Sequence, residues 1–265
     1  MDTPWQKQSY SKPLFEDLLW SRPEQKALAG KLLIIGGNSH AIAAPGEAFM
    51  LAEKSGAGTV KVVMPDKTRK LIGGKLPLGI ELAPSTPSGS FSGEALAPLQ
   101  SYCAWADATL FAGDIGRNSE TAIVLEKLAS KMPGLHIYTR DAVDYFANTA
   151  LTLLGREQTL VVLSIAQLQK FAVSAKYQTA ITFDMGLPNL CKALSELTQM
   201  HQAHIITQQF NSVITAVNGD VIVTTLESEP DKWRLKVATA ASVWWMQNPT
   251  KPLEALATAI TQVAW

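Results

Sequence analysis

The amino-acid sequence predicts an α/β fold: a mostly parallel central sheet with helices on both faces, in a single domain over residues 1–265, with a β-hairpin toward the C-terminus. Three observations carry this expectation. Lys31-Leu32-Leu33-Ile34-Ile35, the turn Gly36-Gly37-Asn38-Ser39, a helix from Ala43 to Ser55 and the run Thr59–Pro65 make one strand–turn–helix–strand unit, whose two strands should be parallel with a right-handed crossover. Short apolar runs then alternate with amphipathic stretches, and a run apolar on both alternating faces, such as Thr159–Leu163, belongs in the middle of a covered sheet. Asn218-Gly219, between Ser212–Val217 and Asp220–Thr225, is a two-residue hairpin signal.

Composition limits the function classes. The 265 residues are 47% hydrophobic, enough for a sizeable core. The 23 basic and 23 acidic residues balance, which leaves no electrostatic footprint for nucleic acid or an anionic membrane. No apolar run approaches the roughly 20 residues of a membrane span. The polar start Met1–Lys7 does not read as a secretion signal, so a cytoplasmic location is expected. Cys103 and Cys191, far apart, form neither a disulfide framework nor a zinc pattern and read as small buried side chains.

In order, the 1–30 stretch reads as a helical preface, with an amphipathic helix over Pro13–Trp20 and an exposed connector at Arg22–Lys26. The unit from Lys31 to Pro65 has Pro45 in the first turn of its helix, where the missing N–H costs nothing, and Gly56-Ala57-Gly58 at its end. A helix start at Asp66–Leu71 precedes a Gly-, Pro- and Ser-rich loop over 73–93 with one extended piece near Ile80–Leu82; a loop of that length is either a functional element or a surface insertion. A helix over Glu94–Ala104, a strand over Ala108–Ala112, the loop Gly113-Asp114-Ile115-Gly116-Arg117-Asn118 and a helix over Glu120–Lys131 follow, with Asp114 and Asn118 suited to turn and N-cap positions. Strands are expected at Leu135–Thr139, Thr159–Leu163, Thr179–Asp184 and His204–Thr207. Helices are expected from Arg140, over Ile165–Val173 behind an N-cap at Ser164, and over Pro188–Gln202, Leu235–Gln247 and Pro252–Ala264. The histidines His40, His136, His201 and His204 offer no metal constellation, and His201 fits a helix C-cap.

Several of these stretches resemble the ADP- or ATP-dependent NAD(P)H-hydrate dehydratases, which are ribokinase-like proteins. The opening G-G-S, G-A-P, helix, S-G-A-G pattern is matched in part by Gly36-Gly37-Asn38-Ser39-His40-Ala41-Ile42-Ala43-Ala44-Pro45, and the Arg22-Pro23 to Gly30-Lys31 approach to the first strand is similar too. The family's G-P-G-L-G-R loop corresponds to Ala112–Arg117, and its D-A-D-A-L to Thr139–Val143, with Asp141 on the second acidic position. The resemblance implies a ribokinase-like three-layer sandwich. It also implies a site at the carboxyl ends of the strands made of Gly36, Gly37, Asn38, Ser39, Ala44, Gly116, Arg117 and Asp141, with Lys236 at the start of the long C-terminal helix. The expected ligands are ADP or ATP, with NAD(P)H as a substrate-like ligand and magnesium unassigned, in a homo-oligomer without nucleic-acid or membrane partners.

The departures bear on chemistry. The family's T-P-H-x-x-E reads Val162-Leu163-Ser164-Ile165-Ala166-Gln167, and its L-K-G reads Thr207-Gln208-Gln209. Its glycine-rich G-T-G-D, which supplies an anion nest and a catalytic aspartate, corresponds to Trp233-Arg234-Leu235-Lys236, and no Gly-x-Gly-Asp occurs in the C-terminal third. A lysine cannot replace a proton-transferring carboxylate without new chemistry, and bulky side chains block the close backbone approach of a glycine nest. Weakened or lost catalysis is therefore expected; an active lyase using other residues and a ribokinase-type small-molecule kinase are the alternatives.

Overall fold

The computed structural model describes residues 5–265; Met1–Pro4, part of the polar start, lie outside it. The chain forms one ten-stranded sheet in the order β1-β10-β9-β8-β7-β6-β5-β2-β3-β4. The strands are β1 (Gln6–Ser9), β2 (Lys31–Gly36), β3 (Thr59–Pro65), β4 (Ile80–Ala83), β5 (Ala108–Gly113), β6 (Leu135–Thr139), β7 (Thr159–Val162), β8 (His204–Gln209), β9 (Ser212–Val217) and β10 (Asp220–Thr225). Neighbours run parallel except on either side of β9. Asn218 and Gly219 both have positive φ (50° and 93°), as the mirror-image turn of a tight hairpin requires.

Alternation along the central strands builds two cores. Leu33, Ile35, Phe111, Tyr138 and Val161 face one layer. That layer holds α4 (Leu96–Trp105), α5 (Ser119–Lys131), α7 (Leu151–Leu154), α8 (Ile165–Ser174) and α9 (Leu187–Met200). Leu32, Ile34, Leu110, Ile137 and Leu160 face the other, against α2 (Ala43–Lys54), α10 (Trp233–Gln247) and α11 (Pro252–Thr261), with the short α1 (Glu16–Trp20) at its margin. Trp244 and Trp245 of α10 are almost wholly buried there, as their position on an apolar helix predicts. Both cysteines are free and buried.

Three expectations need correction. The preface is not all helical: Gln6–Ser9 adds a parallel strand beside β10. Its sequence carries no apolar alternation because one buried amide anchors it, Gln8 donating to Thr224 Oγ1 and to the Ala257 carbonyl, both at 2.8 Å. Thr179–Asp184 forms no strand; of its six residues only Ile181 is buried, so β-branched composition there has no sheet to join. The long C-terminal helix begins at Trp233, two residues before the expected Leu235, which changes which side chains its first turn presents. The short helices α3 (Arg69–Ile72) and α6 (Asp141–Asp144) complete the set.

The 73–93 stretch is built in rather than appended. After β4 it folds over the first glycine turn: Ser39 N–H donates to Gly89 O (3.0 Å) and Ser39 Oγ to Ser88 O (3.1 Å). Ser90 Oγ donates to Ile115 O, and Phe91 is fully buried.

Candidate functional site

The carboxyl ends of β2, β5, β6 and β7 meet the starts of α2, α6, α8 and α10 around two adjoining cavities. The larger, about 740 Å³, is lined by Asp114, Arg140, Asp141, Asp144, Ser164 and the 230–235 segment. The second, about 430 Å³, shares Asp141 and Asp144 and adds Gly116, Arg117, Tyr145 and Lys170. The outer ends of strands in an open, largely parallel sheet are where ligands bind.

Close backbone approach sets the floor of the site. A Cβ on Gly36 would stand 2.6 Å from the Gly113 carbonyl oxygen, and one on Gly113 (φ 101°) would stand 2.7 Å from Asp141 Oδ1. Asp114 and Arg140, the next residues outward on β5 and β6, both take left-handed backbone (φ 56°). That conformation is uncommon for residues with a Cβ, and here it turns the two side chains toward each other.

The Asp114 carboxylate is held from two sides. Its Oδ2 accepts the Ala44 N–H at the start of α2 (2.7 Å), where the free N–H groups and dipole of a helix favour an anion, and its Oδ1 accepts from Arg140 Nη2 (2.8 Å). Asp141 repeats the arrangement one strand over, its Oδ2 accepting the Ile115 N–H (2.9 Å) and the Gly116 N–H (3.1 Å). Its Oδ1 is buried without a partner, and burial outweighs the N–H donors to push this carboxyl above its usual pKa. The protein's own carboxylates thus fill the backbone N–H positions that could otherwise cradle a ligand's anion.

Gln167 joins the two halves. Ser164 caps α8 with a capping box in which the Gln167 side chain returns to the Ser164 N–H. Gln167 Nε2 also donates to Arg140 O (2.8 Å) and Asp144 Oδ1 (3.0 Å), and its Oε1 accepts from Arg234 Nη1 (2.9 Å). Burial lowers the Arg234 pKa, and the neighbouring Arg140 charge lowers it further.

Among the expected site residues, Asn38, Gly116 and Asp141 come together: Asn38 Nδ2 donates to the Asp114 carbonyl, and a Cβ on Gly116 would lie 3.5 Å from the Asn38 amide. Gly36, Gly37 and Ala44 form the backbone beneath, while Ser39 is tied to the 88–89 loop. Arg117 lines the second cavity. Lys236 stands apart, its Nζ donating to Ala264 O (3.0 Å) beside Arg22 and Lys54 in a separate small cavity. The charged α10 residue that lines the site, beside Trp233 and Leu235, is Arg234. Arg140, Asp114 and Gln167 were not counted as ligand residues from sequence; the signal available was the place of Asp114 and Arg140 just after strands β5 and β6, and of Gln167 in the first turn of α8. No group of three or more His, Cys, Asp or Glu side chains suited to a metal ion occurs among the described residues.

No protein-family profile matches the chain. A bifunctional NAD(P)H-hydrate repair enzyme Nnr of Moorella thermoacetica is 27% identical over 137 residues, covering 51% of this chain but only 26% of that protein's length. Among solved structures, a ribokinase-like superfamily protein of Enterococcus faecalis superposes with a TM-score of 0.72 at 17% identity, covering 98% of this chain and 87% of the other. An ADP/ATP-dependent NAD(P)H-hydrate dehydratase of Bacillus subtilis, co-crystallised with ATP and Mg²⁺, superposes with a TM-score of 0.62 at 12% identity, covering 94% and 86%. A pyridoxal kinase of Staphylococcus aureus superposes with a TM-score of 0.54 at 12% identity, covering 87% and 84%. The mostly parallel sheet, its helix layers and these superpositions together establish that the chain has the ribokinase-like fold, shared with the NAD(P)H-hydrate dehydratases.

Proposed function

We propose that this chain is a divergent relative of the NAD(P)H-hydrate dehydratases that retains a groove for a nucleotide or dinucleotide and has weakened or lost the ADP- or ATP-dependent lyase reaction. One observation carries the reading. The first turn of α10 presents Trp233, Arg234 and Leu235 to the large cavity, with neither a glycine nest nor a carboxylate in that turn. A proton-transferring group must reach the reacting atom; both Asp114 oxygens accept from N–H groups of the protein, as do one oxygen of Asp141 and one of Asp144, and the remaining Asp141 oxygen is buried. The fold shared with a dehydratase crystallised with ATP and Mg²⁺ supports a nucleotide-sized ligand, as does a cavity within the usual range for small-molecule sites.

A specific alternative centres on Asp231, an exposed carboxylate lining the same cavity just before α10. As a displaced acid–base group it would restore an active lyase. Two measurements decide. Thermal-shift titration with ADP, ATP and NAD(P)H should stabilise the protein with at least one of them; no shift with any would remove the binding half of the proposal. Incubation of hydrated NADH with ATP or ADP should regenerate no NADH; regeneration abolished by Asp231→Asn would establish the active reading instead.

A further inference from the structure

Resting on the groove reading above, we propose that its ligand is a dianion, either a phosphate monoester or the diphosphate bridge of a dinucleotide, held by the guanidinium groups of Arg140 and Arg234, and that a nucleoside triphosphate without magnesium is disfavoured.

The argument starts from which polar groups are already used. The backbone N–H groups of Ala44, Ile115 and Gly116 are taken by Asp114 and Asp141. Asp144 accepts from Gln167. The two arginines facing the larger cavity are barely engaged by side chains: Arg140 gives one nitrogen to Asp114, and Arg234 gives one to the neutral amide oxygen of Gln167. Arg234 has no carboxylate within ion-pair distance among the described residues. Each guanidinium carries five N–H donors in a planar fork, of which one nitrogen is engaged by a side chain, and both residues line the cavity. Two half-buried cations near each other repel, and an anion lying between them removes that cost while satisfying both forks. Burial is the main cause that depresses the Arg234 pKa; the Arg140 charge adds to it, and the Asp144 and Asp141 charges oppose it.

Charge sets the size of the anion. The two cavities together are lined by Asp114, Asp141, Asp144 and Asp231 and by five basic side chains: Arg117, Arg140, Lys170, Lys232 and Arg234. A dianion leaves that lining near balance. A triphosphate free of magnesium would bring a larger negative charge beside four carboxylates, more than the two guanidinium groups and the uncapped first turn of α10 offset.

The test is equilibrium titration of NADH, AMP and, with a chelator present, magnesium-free ATP against the full chain and the variants Arg234→Gln, Arg234→Lys and Lys236→Ala. The expected result is that NADH or AMP binds, which of the two separating bridge from monoester. Affinity should drop at least tenfold in Arg234→Gln, partly recover in Arg234→Lys and stay unchanged in Lys236→Ala, whose ammonium lies elsewhere; magnesium-free ATP should bind at least tenfold more weakly than the better dianion. Equal dianion affinity in wild type and Arg234→Gln, no binding of either dianion at millimolar concentration, or tighter binding of magnesium-free ATP would each overturn the proposal. If Arg234→Gln fails to fold by circular dichroism, the salt dependence of wild-type binding decides: affinity falling with ionic strength supports a charge clamp, and salt-independent affinity overturns it. Tight, Arg234-independent ATP binding would sink this inference while leaving the nucleotide groove intact. Turnover of hydrated NADH would sink the loss of catalysis while leaving the Arg234 result untouched.

Discussion

Asp114 does at one position what a bound anion does at many helix starts. Its carboxylate satisfies the Ala44 N–H, pairs with one nitrogen of Arg140 and holds the left-handed turn after β5. Because its side chain is only 11% exposed, the pair is better protected from solvent than the surface pair Lys192–Glu196, which belongs to the class contributing about 0.2–0.5 kcal/mol. Asp114→Ala should lower unfolding free energy by about 1–2 kcal/mol, the cost of a lost cap, read by chemical denaturation. A second residue ties stability to pH. His204, on β8 against the Trp245 ring (5.0 Å between centroids), keeps Nδ1 buried without a partner, and burial depresses its pKa to about 4. The unfolded chain takes up this proton below the ordinary value of 6.5, whereas the folded protein refuses it until about 4. Stability therefore falls as pH drops through that window, by up to roughly 3 kcal/mol from this group. His204→Phe should flatten that part of the stability-versus-pH curve; an unchanged acid limb would assign the loss to other groups, His136 first among them because it too is buried neutral.

At the scale of elements, a few side chains tie secondary structures that have no other polar link. Arg156 donates to the carbonyls of Ala129, Met132 and Gly134 at the end of α5 and to Thr159 Oγ1 at the start of β7. Arg156→Ala leaves several of these groups without a partner and should cost about 2–4 kcal/mol in denaturant melts, with Arg156→Lys recovering only part because an ammonium cannot span the fork. Trp245→Ala, in the core between the sheet and α10, should cost about 3–5 kcal/mol. Elements whose polarity followed their packing were legible from sequence: the first βαβ unit, the Asn218-Gly219 hairpin, and Ser164 as an N-cap. Those that failed did so for local physical reasons. β1 is polar because it is an edge strand anchored by the Gln8 amide, and Thr179–Asp184 buries only Ile181 and has no neighbouring strand to pair with. The 73–93 stretch looked structureless because side-chain contacts to distant loops hold it, and such contacts leave no period.

For the whole molecule, the fold was readable because alternation along each strand supplies two cores, and the ribokinase-like superpositions agree. The site was readable only in outline. Glycine at the ends of β2 and β5 marked the place, but the motif correspondence put Lys236 on the aspartate position, while the helix turns Arg234 to the site and Lys236 to a separate cavity. The network through Gln167 was not readable, since it joins residues from three separate elements by hydrogen bonds that no spacing reveals. The central claim is that this scaffold keeps its groove without the acid–base group that drives dehydration. The most direct test follows absorbance of regenerated NADH in a mixture of purified protein, hydrated NADH and ATP or ADP, at rising protein concentration. The account predicts a rate equal to that of the mixture without protein; a rate that grows in proportion to protein would contradict it.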